Sequence, residues 1–292
     1  MRNRASRTAE HVALFRAVES ARVGDRLFED VYAVRFLSVR YRLVASLSRV
    51  DRIGRWVERY IDRRWPAGPR ASAVVRTRLI DDLVDEALAG GVQQVLLLGA
   101  GYDSRAYRLP RMADARVFEV DHPLTQASKR RLVRAHVPAG RRTHVTFVPV
   151  DLVDGDLRAA LVAAGFATDE STVVLWEGVT NYLTASAVDA TLRQLAAMTG
   201  AGSRIIFTYV DSSALDGTGG FAGVEEWQAA VRRHGEPWTF GLDPAGLPDY
   251  LAVRGLTLSL DMSALDAGER YLAPMHRREP AAPWYRIAMA YR

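Results

Sequence analysis

Gly99 and Gly101, in Leu98-Gly-Ala-Gly101, are the first residues of this 292-residue chain whose type and spacing imply chemistry. Glycines at such a point let the backbone turn sharply and approach a ligand with no Cβ in the way. Twenty-two residues beyond Gly99, Phe118-Glu-Val-Asp121 ends an apolar run in a carboxylate able to accept both hydroxyls of a ribose. Nicotinamide-binding chains share this arrangement, and a tight turn followed by a surface aspartate would read the same way. Two features separate the alternatives. Ser104 stands at the third glycine position of Gly99-Ala-Gly-Tyr-Asp-Ser104, which disfavours a pyrophosphate cradle. Val148-Pro-Val-Asp151-Leu152 then ends a further run in a carboxylate suited to an adenine amino group, with the backbone N–H of Leu152 available to a ring nitrogen. A lone aspartate after a strand is commonly a helix N-cap, but three aligned strand ends make a nucleoside site the better reading.

Positioning these groups requires strands that end together. From Val92 onward, short leucine-rich or β-branched runs alternate with helical segments, the pattern of a parallel sheet covered on both faces. Strands are expected at 94–98, 116–120, 145–150, 172–176 and 203–210, with helices at 103–109, 125–136, 156–164 and 185–198. An insert at 211–248 carries its own helix near 225–234. Two last strands, 257–260 and 284–291, flank a loop at 263–283 broken by Gly268, Pro274, Pro280 and Pro283, so the final pair should be antiparallel. Residues 1–90 read as helical, with Thr8 as an N-cap and apolar periodicity from Val74 to Leu88. The Pro66-Ala-Gly-Pro69 break separates a helical cap or lid, 1–70, from an α/β domain, 71–292.

Composition bounds the function classes. The apolar content of 49% and charged content of 25% are those of a folded globular chain. A net charge of +5 would suit nucleic acid, yet the basic residues are interspersed with acidic ones and Lys129 is the only lysine, so a solvated arginine-rich surface is expected. The absence of cysteine excludes disulfides and thiolate metal sites. The basic start lacks an apolar segment and no run approaches the ~20 residues that span a bilayer, so the expectation is a cytoplasmic protein with neither membrane nor nucleic acid as partner. His122, His136, His144, His234 and His276 share no ligand spacing, and no metal is expected.

Beyond these single signals, the run from Leu98 to Leu109, Phe118-Glu-Val-Asp-His-Pro123, Asp151-Leu152 and Trp176-Glu-Gly-Val-Thr-Asn-Tyr-Leu183 resemble the leucine carboxyl methyltransferase-like family. That family includes actinobacterial methyltransferases and polyketide tailoring O-methyltransferases. Arg7-Thr-Ala-Glu10, Arg16-Ala-Val-Glu19, Arg76-Thr-Arg-Leu-Ile-Asp81 and Gly235-Glu-Pro-Trp238 extend the resemblance over nearly the whole chain. It implies a class I methyltransferase fold, a Rossmann-like seven-stranded, mostly parallel sheet, with S-adenosylmethionine at the carboxyl ends of the strands. By motif, Asp121 would hold the ribose, Asp151 and Leu152 the adenine, and Gly99 would lie under the methionine portion, with Gly101 a further cofactor-binding residue. Arg76, or Arg78 two residues on, would pair with the cofactor carboxylate, and Glu177 would complete the pocket. Phe28-Glu-Asp-Val-Tyr-Ala33 departs from relatives that carry Asp-Pro at Asp30-Val31.

The acceptor is a small molecule on this reading. A carboxylate, with an ordinary pKa of about 4, needs no general base, whereas a phenol at about 10 benefits from one. Glu177-Gly-Val-Thr-Asn181-Tyr182 holds neither histidine nor lysine, which favours a carboxyl group of a secondary metabolite over a hydroxyl. Tyr182 resembles the family tyrosine that orients an acceptor carboxylate by a phenolic hydrogen bond, and Asn181 is a candidate polar pocket residue. Trp227, Trp238, Phe240 and Tyr271 are candidates for an apolar wall. A nicotinamide-dependent oxidoreductase and a catalytically silent adenosine-ligand sensor are the competing readings.

Overall fold

The computed structural model describes residues 7–65, 67–152, 155–233 and 235–292. The apolar runs become β1 (Gln94–Leu98), β2 (Arg116–Asp121), β3 (Val145–Pro149), β4 (Thr172–Trp176), β5 (Arg204–Val210), β6 (Thr257–Ser263) and β7 (Tyr285–Tyr291). β1 and β4 are buried at every position because parallel strands at the centre of a sheet are covered on both faces. Successive side chains serve opposite layers: Val95 and Leu97 join one core, Leu96 and Leu98 the other. The seven strands order as β3-β2-β1-β4-β5-β7-β6, with β7 antiparallel to both neighbours. The order reverses between β1 and β4, the switch point at whose carboxyl ends open α/β sheets bind ligands.

The helices preceding the sheet are α1 (Arg7–Ala21), α2 (Val39–Leu47), α3 (Asp51–Arg64) and α4 (Pro69–Ala89). Those within it are α5 (Arg105–Arg108), α6 (Pro123–His136), α7 (Leu157–Ala163), α8 (Ala185–Met198), α9 (Ser212–Leu215), α10 (Val224–Arg233), α11 (Leu247–Ala252) and α12 (Ala264–Tyr271). Pro69 opens α4 at a position where its missing N–H costs nothing. Gly68 before it has φ +71°, and a Cβ there would lie 1.8 Å from the Pro280 carbonyl oxygen.

Three expectations need correction. Residues 22–32 are not helical: Gly24 breaks the chain at φ +96°, and the Asp30 carboxylate accepts the backbone N–H groups of Tyr32 and Ala33. Thr8 lies inside α1 rather than capping it, and its hydroxyl donates to the Glu236 carboxylate. The 263–283 loop contains α12, started by a capping box in which Ser263 and Asp266 satisfy each other's backbone N–H groups, and this helix packs on α4. His234 falls outside the described residues.

Candidate active site

A cavity of about 700 Å³ opens over the carboxyl ends of β1 to β4. Gly99 follows β1 with φ +64°, and a Cβ there would meet Val179 Cγ2 at 2.4 Å, so only glycine fits this cradle unstrained. Gly101, at φ +41°, donates its N–H to Asp121 Oδ2 at 2.6 Å. The His122 N–H donates to the other oxygen at 2.7 Å. Burial lifts the Asp121 carboxyl above its ordinary pKa despite these two donors. Each oxygen keeps a lone pair for a further donor from the cavity that Asp121 lines.

Lys129 sits beneath the loop, fully buried. Its ammonium meets Glu119 at 2.8 Å and donates to the Ala100 carbonyl at 3.2 Å. Ser104 is buried and donates to Asp30 at 2.6 Å, tying the glycine loop to the segment after α1. The same Asp30 accepts Arg16 Nε at 2.9 Å, while Arg16 Nη2 donates to the Tyr102 carbonyl at 2.6 Å.

Asp151 and Leu152 line the cavity beyond β3. The Asp151 side chain is 42% exposed, with His122 Nε2 3.8 Å away. It is Asp156, not Asp151, that caps α7 by accepting the Ala159 N–H. At the end of β4, Glu177 accepts Arg76 Nε at 2.6 Å and Arg105 Nη1 at 2.6 Å. Burial pushes this carboxyl up, but Arg105 and Arg76 outweigh it and hold the pKa below the ordinary range. Arg105 also bridges Asp81 at 2.7 Å and Asp103 at 2.5 Å. The Arg76 guanidinium lies 5.0 Å from the Tyr285 ring centroid and lines the cavity. Arg78 does not: it pairs with Asp82 at 3.0 Å and donates to the Leu27 carbonyl.

The remaining wall is aromatic. Trp227 stacks on Tyr285 with centroids 5.9 Å apart and packs on Trp238 at 5.5 Å. Trp65, Tyr182, Glu236 and His11 complete this side. The Tyr182 phenol is raised to about 12 by burial, with Tyr285 and the Glu236 carboxylate adding to the shift.

The family model for leucine carboxyl methyltransferase matches residues 9–196. A Frankia alni protein named "Putative S-adenosyl-L-methionine-dependent methyltransferase" is 36% identical over 93% of this chain and 90% of its own. The chain belongs to the leucine carboxyl methyltransferase family. It is thus a member of a family of S-adenosylmethionine-dependent methyltransferases, and the cofactor expected from the resemblance is the one the relative's name carries. The crystal structure of a "putative methyltransferase" from Thermobifida fusca has the same fold, with a TM-score of 0.60 at 16% identity over 95% of this chain and 94% of its own. A DUF574 family protein from Streptomyces avermitilis aligns with a TM-score of 0.59 at 14% identity, covering 99% of this chain and 98% of its own.

Of the residues singled out in the methyltransferase sequence, Arg76, Gly99, Gly101, Asp121, Asp151, Leu152, Glu177 and Tyr182 share the one cavity. Asn181 does not line it; its side chain is buried and its backbone carbonyl accepts the Thr239 N–H. Phe240 packs in the core and Tyr271 donates to Asp82, so neither belongs to the apolar wall. His11, Arg16, Trp65, Asp103 and Glu236 are cavity residues that the sequence reading did not single out. Asp103, Arg16 and Glu236 lie inside the quoted motifs, which was a usable signal. His11 and Trp65 had none, since helix α1 and the end of α3 reach the cavity only by packing.

Proposed function

We propose that this methyltransferase methylates an oxygen of a small-molecule acceptor, a carboxylate. S-adenosylmethionine, when bound, would supply a sulfonium methyl carbon open to in-line attack, so that the C–O bond to the acceptor would form as the C–S bond breaks and S-adenosylhomocysteine leaves. The chain's work is to hold the two partners in that geometry and exclude water. Asp121 would take the ribose hydroxyls on its two remaining lone pairs, and Asp151 with the Leu152 N–H would take the adenine. Gly99 would leave room for the methionine portion, with Gly101 beside it in the cradle, and Arg76, held by Glu177, would pair with its carboxylate. Residues 1–70 act as a helical cap and 71–292 as the methyltransferase domain, with the inserts at 211–248 and 263–283. A carboxyl acceptor arrives ionised and needs no base; Tyr182, protonated at neutral pH with its pKa of about 12, donates a hydrogen bond that orients it. The Tyr182 hydroxyl on the cavity wall is the observation that carries the reading.

The aromatic wall supports a flat, apolar, polyketide-like acceptor of secondary metabolism. A second reading, methylation of a hydroxyl or phenol, is favoured by His11 and Glu236 on the same wall, since either residue type can serve as a general base. Turnover of a panel of aromatic acids and phenols with methyl-labelled cofactor separates the two. A label released by mild alkali marks an ester, and an alkali-stable label would replace our reading with the second. Binding of S-adenosylhomocysteine with no turnover of any acceptor would point to a ligand sensor instead.

A further inference from the structure

The charge of this chain is concentrated in one place. Residues 39–64 hold eight arginines against three carboxylates, a net +5; the whole chain holds 39 basic and 34 acidic residues, so the remainder has 31 of each and is neutral. Two of the three carboxylates are turned inward. Glu58 is buried on Arg22 at 2.6 Å and Asp62 pairs with Arg70 at 2.5 Å. Seven of the eight arginines are exposed, against Asp51 as the one exposed carboxylate of the segment.

Apolar exposure is concentrated in the same place. Among the described residues, six of the twelve large apolar side chains that face solvent fall between Val39 and Tyr60. On α2, Val39, Leu43 and Leu47 recur every fourth residue and so line one helix face. On α3, Gly54, Val57 and Ile61 pack inward, and the outward face carries Trp56 and Tyr60, stacked at 5.6 Å, among Arg52, Arg59 and Arg63. Leu43 is 60%, Trp56 59% and Tyr60 58% exposed, although burying such groups is favourable wherever a partner exists.

We propose that the outer face of α2 and α3 seats on an anionic lipid bilayer. Arginine heads on aliphatic stems, with an indole and a phenol between them, match the charged headgroup layer above acyl chains. The aliphatic residues have no counterpart in a nucleic-acid duplex. A second copy of this chain would set arginine against arginine. No described helix is long and apolar enough to cross a membrane, so the protein lies on the bilayer rather than through it. These helices also border the cavity: Trp65, which ends α3, lines it, and Tyr41 of α2 bonds His11 on its wall at 2.9 Å. An apolar acceptor dissolved in the bilayer is thereby delivered beside the site.

The test is flotation of the full chain with vesicles of phosphatidylcholine alone or mixed with phosphatidylglycerol. Binding should require phosphatidylglycerol and fall at least tenfold from low to high salt. The double variants Arg59→Glu/Arg63→Glu and Leu43→Ser/Trp56→Ser should each weaken it by about tenfold or more, with unchanged S-adenosylhomocysteine affinity as evidence of an intact fold. Absence of binding to the anionic vesicles overturns the proposal. So does loss of binding in the charge variant alone, which would mark an acidic protein or nucleic acid as the partner. A dimer in sedimentation velocity that Leu43→Ser/Trp56→Ser dissolves would overturn it in favour of self-association.

Discussion

The wall of the cavity built from the strand ends is a lattice of buried charges and backbone donors, whereas the facing wall is centred on a stack of aromatic rings. On the first, Glu177 is clamped by two arginines, Asp121 by two backbone N–H groups and the glycine loop by Lys129. On the second, Trp227, Trp238 and Tyr285 pack ring on ring, contacts that tolerate reshaping. The lattice suits a ligand of constant shape, and the stack suits a wall that can be reshaped for another acceptor.

The sharpest break in this contrast comes from Glu177→Gln. Removing one member of a buried cluster costs about 3 kcal/mol or more at neutral pH, because Arg76 loses its carboxylate and Arg105 one of its three. Since the folded carboxyl titrates below its ordinary value of 4.5, its stabilisation is complete above that value and lost as pH falls through the folded pKa. Denaturant midpoints of wild type and variant should therefore be furthest apart near pH 7 and converge in acid; a constant gap would refute the charged clamp. Asp121→Ala follows. Two charge-assisted hydrogen bonds of about 1.5–3 kcal/mol each are lost, so S-adenosylhomocysteine affinity should drop roughly a hundredfold or more by calorimetry.

Gly99→Ala should weaken the same affinity by about tenfold, from the left-handed φ, at about 1–2 kcal/mol, and the clash with Val179. Adding Val179→Ala should recover only the part due to the clash. Tyr182→Phe probes the other wall: turnover should fall about threefold to tenfold, the worth of one neutral hydrogen bond, with cofactor affinity unchanged. A shift in cofactor affinity there would move Tyr182 to the lattice. Asp151→Ala gives the smallest effect, about threefold in affinity, because a side chain 42% exposed already shares its oxygens with water.

Strand ends were legible because their signal is local. Gln94–Leu98, Thr172–Trp176 and Ala185–Met198 match the expected bounds residue for residue, each being a run whose period matches its burial. His11, Trp65, Phe240 and Tyr271 were not legible, since a helix or insert gives no sign of which face meets the cavity until it has packed. Ser104 shows both sides: its position argued against a pyrophosphate cradle, but only the fold revealed that its hydroxyl serves Asp30.

By itself, then, the order of residues determined an α/β sheet whose glycine turn and carboxylates gather at one edge, because strand period and turn chemistry act over a few residues. Tertiary structure alone decided that Arg76 rather than Arg78 lines the cavity, since two residues along a helix turn a side chain by about 200° and only packing says which face is inside. It likewise decided which aromatic rings line the cavity, for these come from α10, the segment after it and β7, brought together by the antiparallel closure of the sheet.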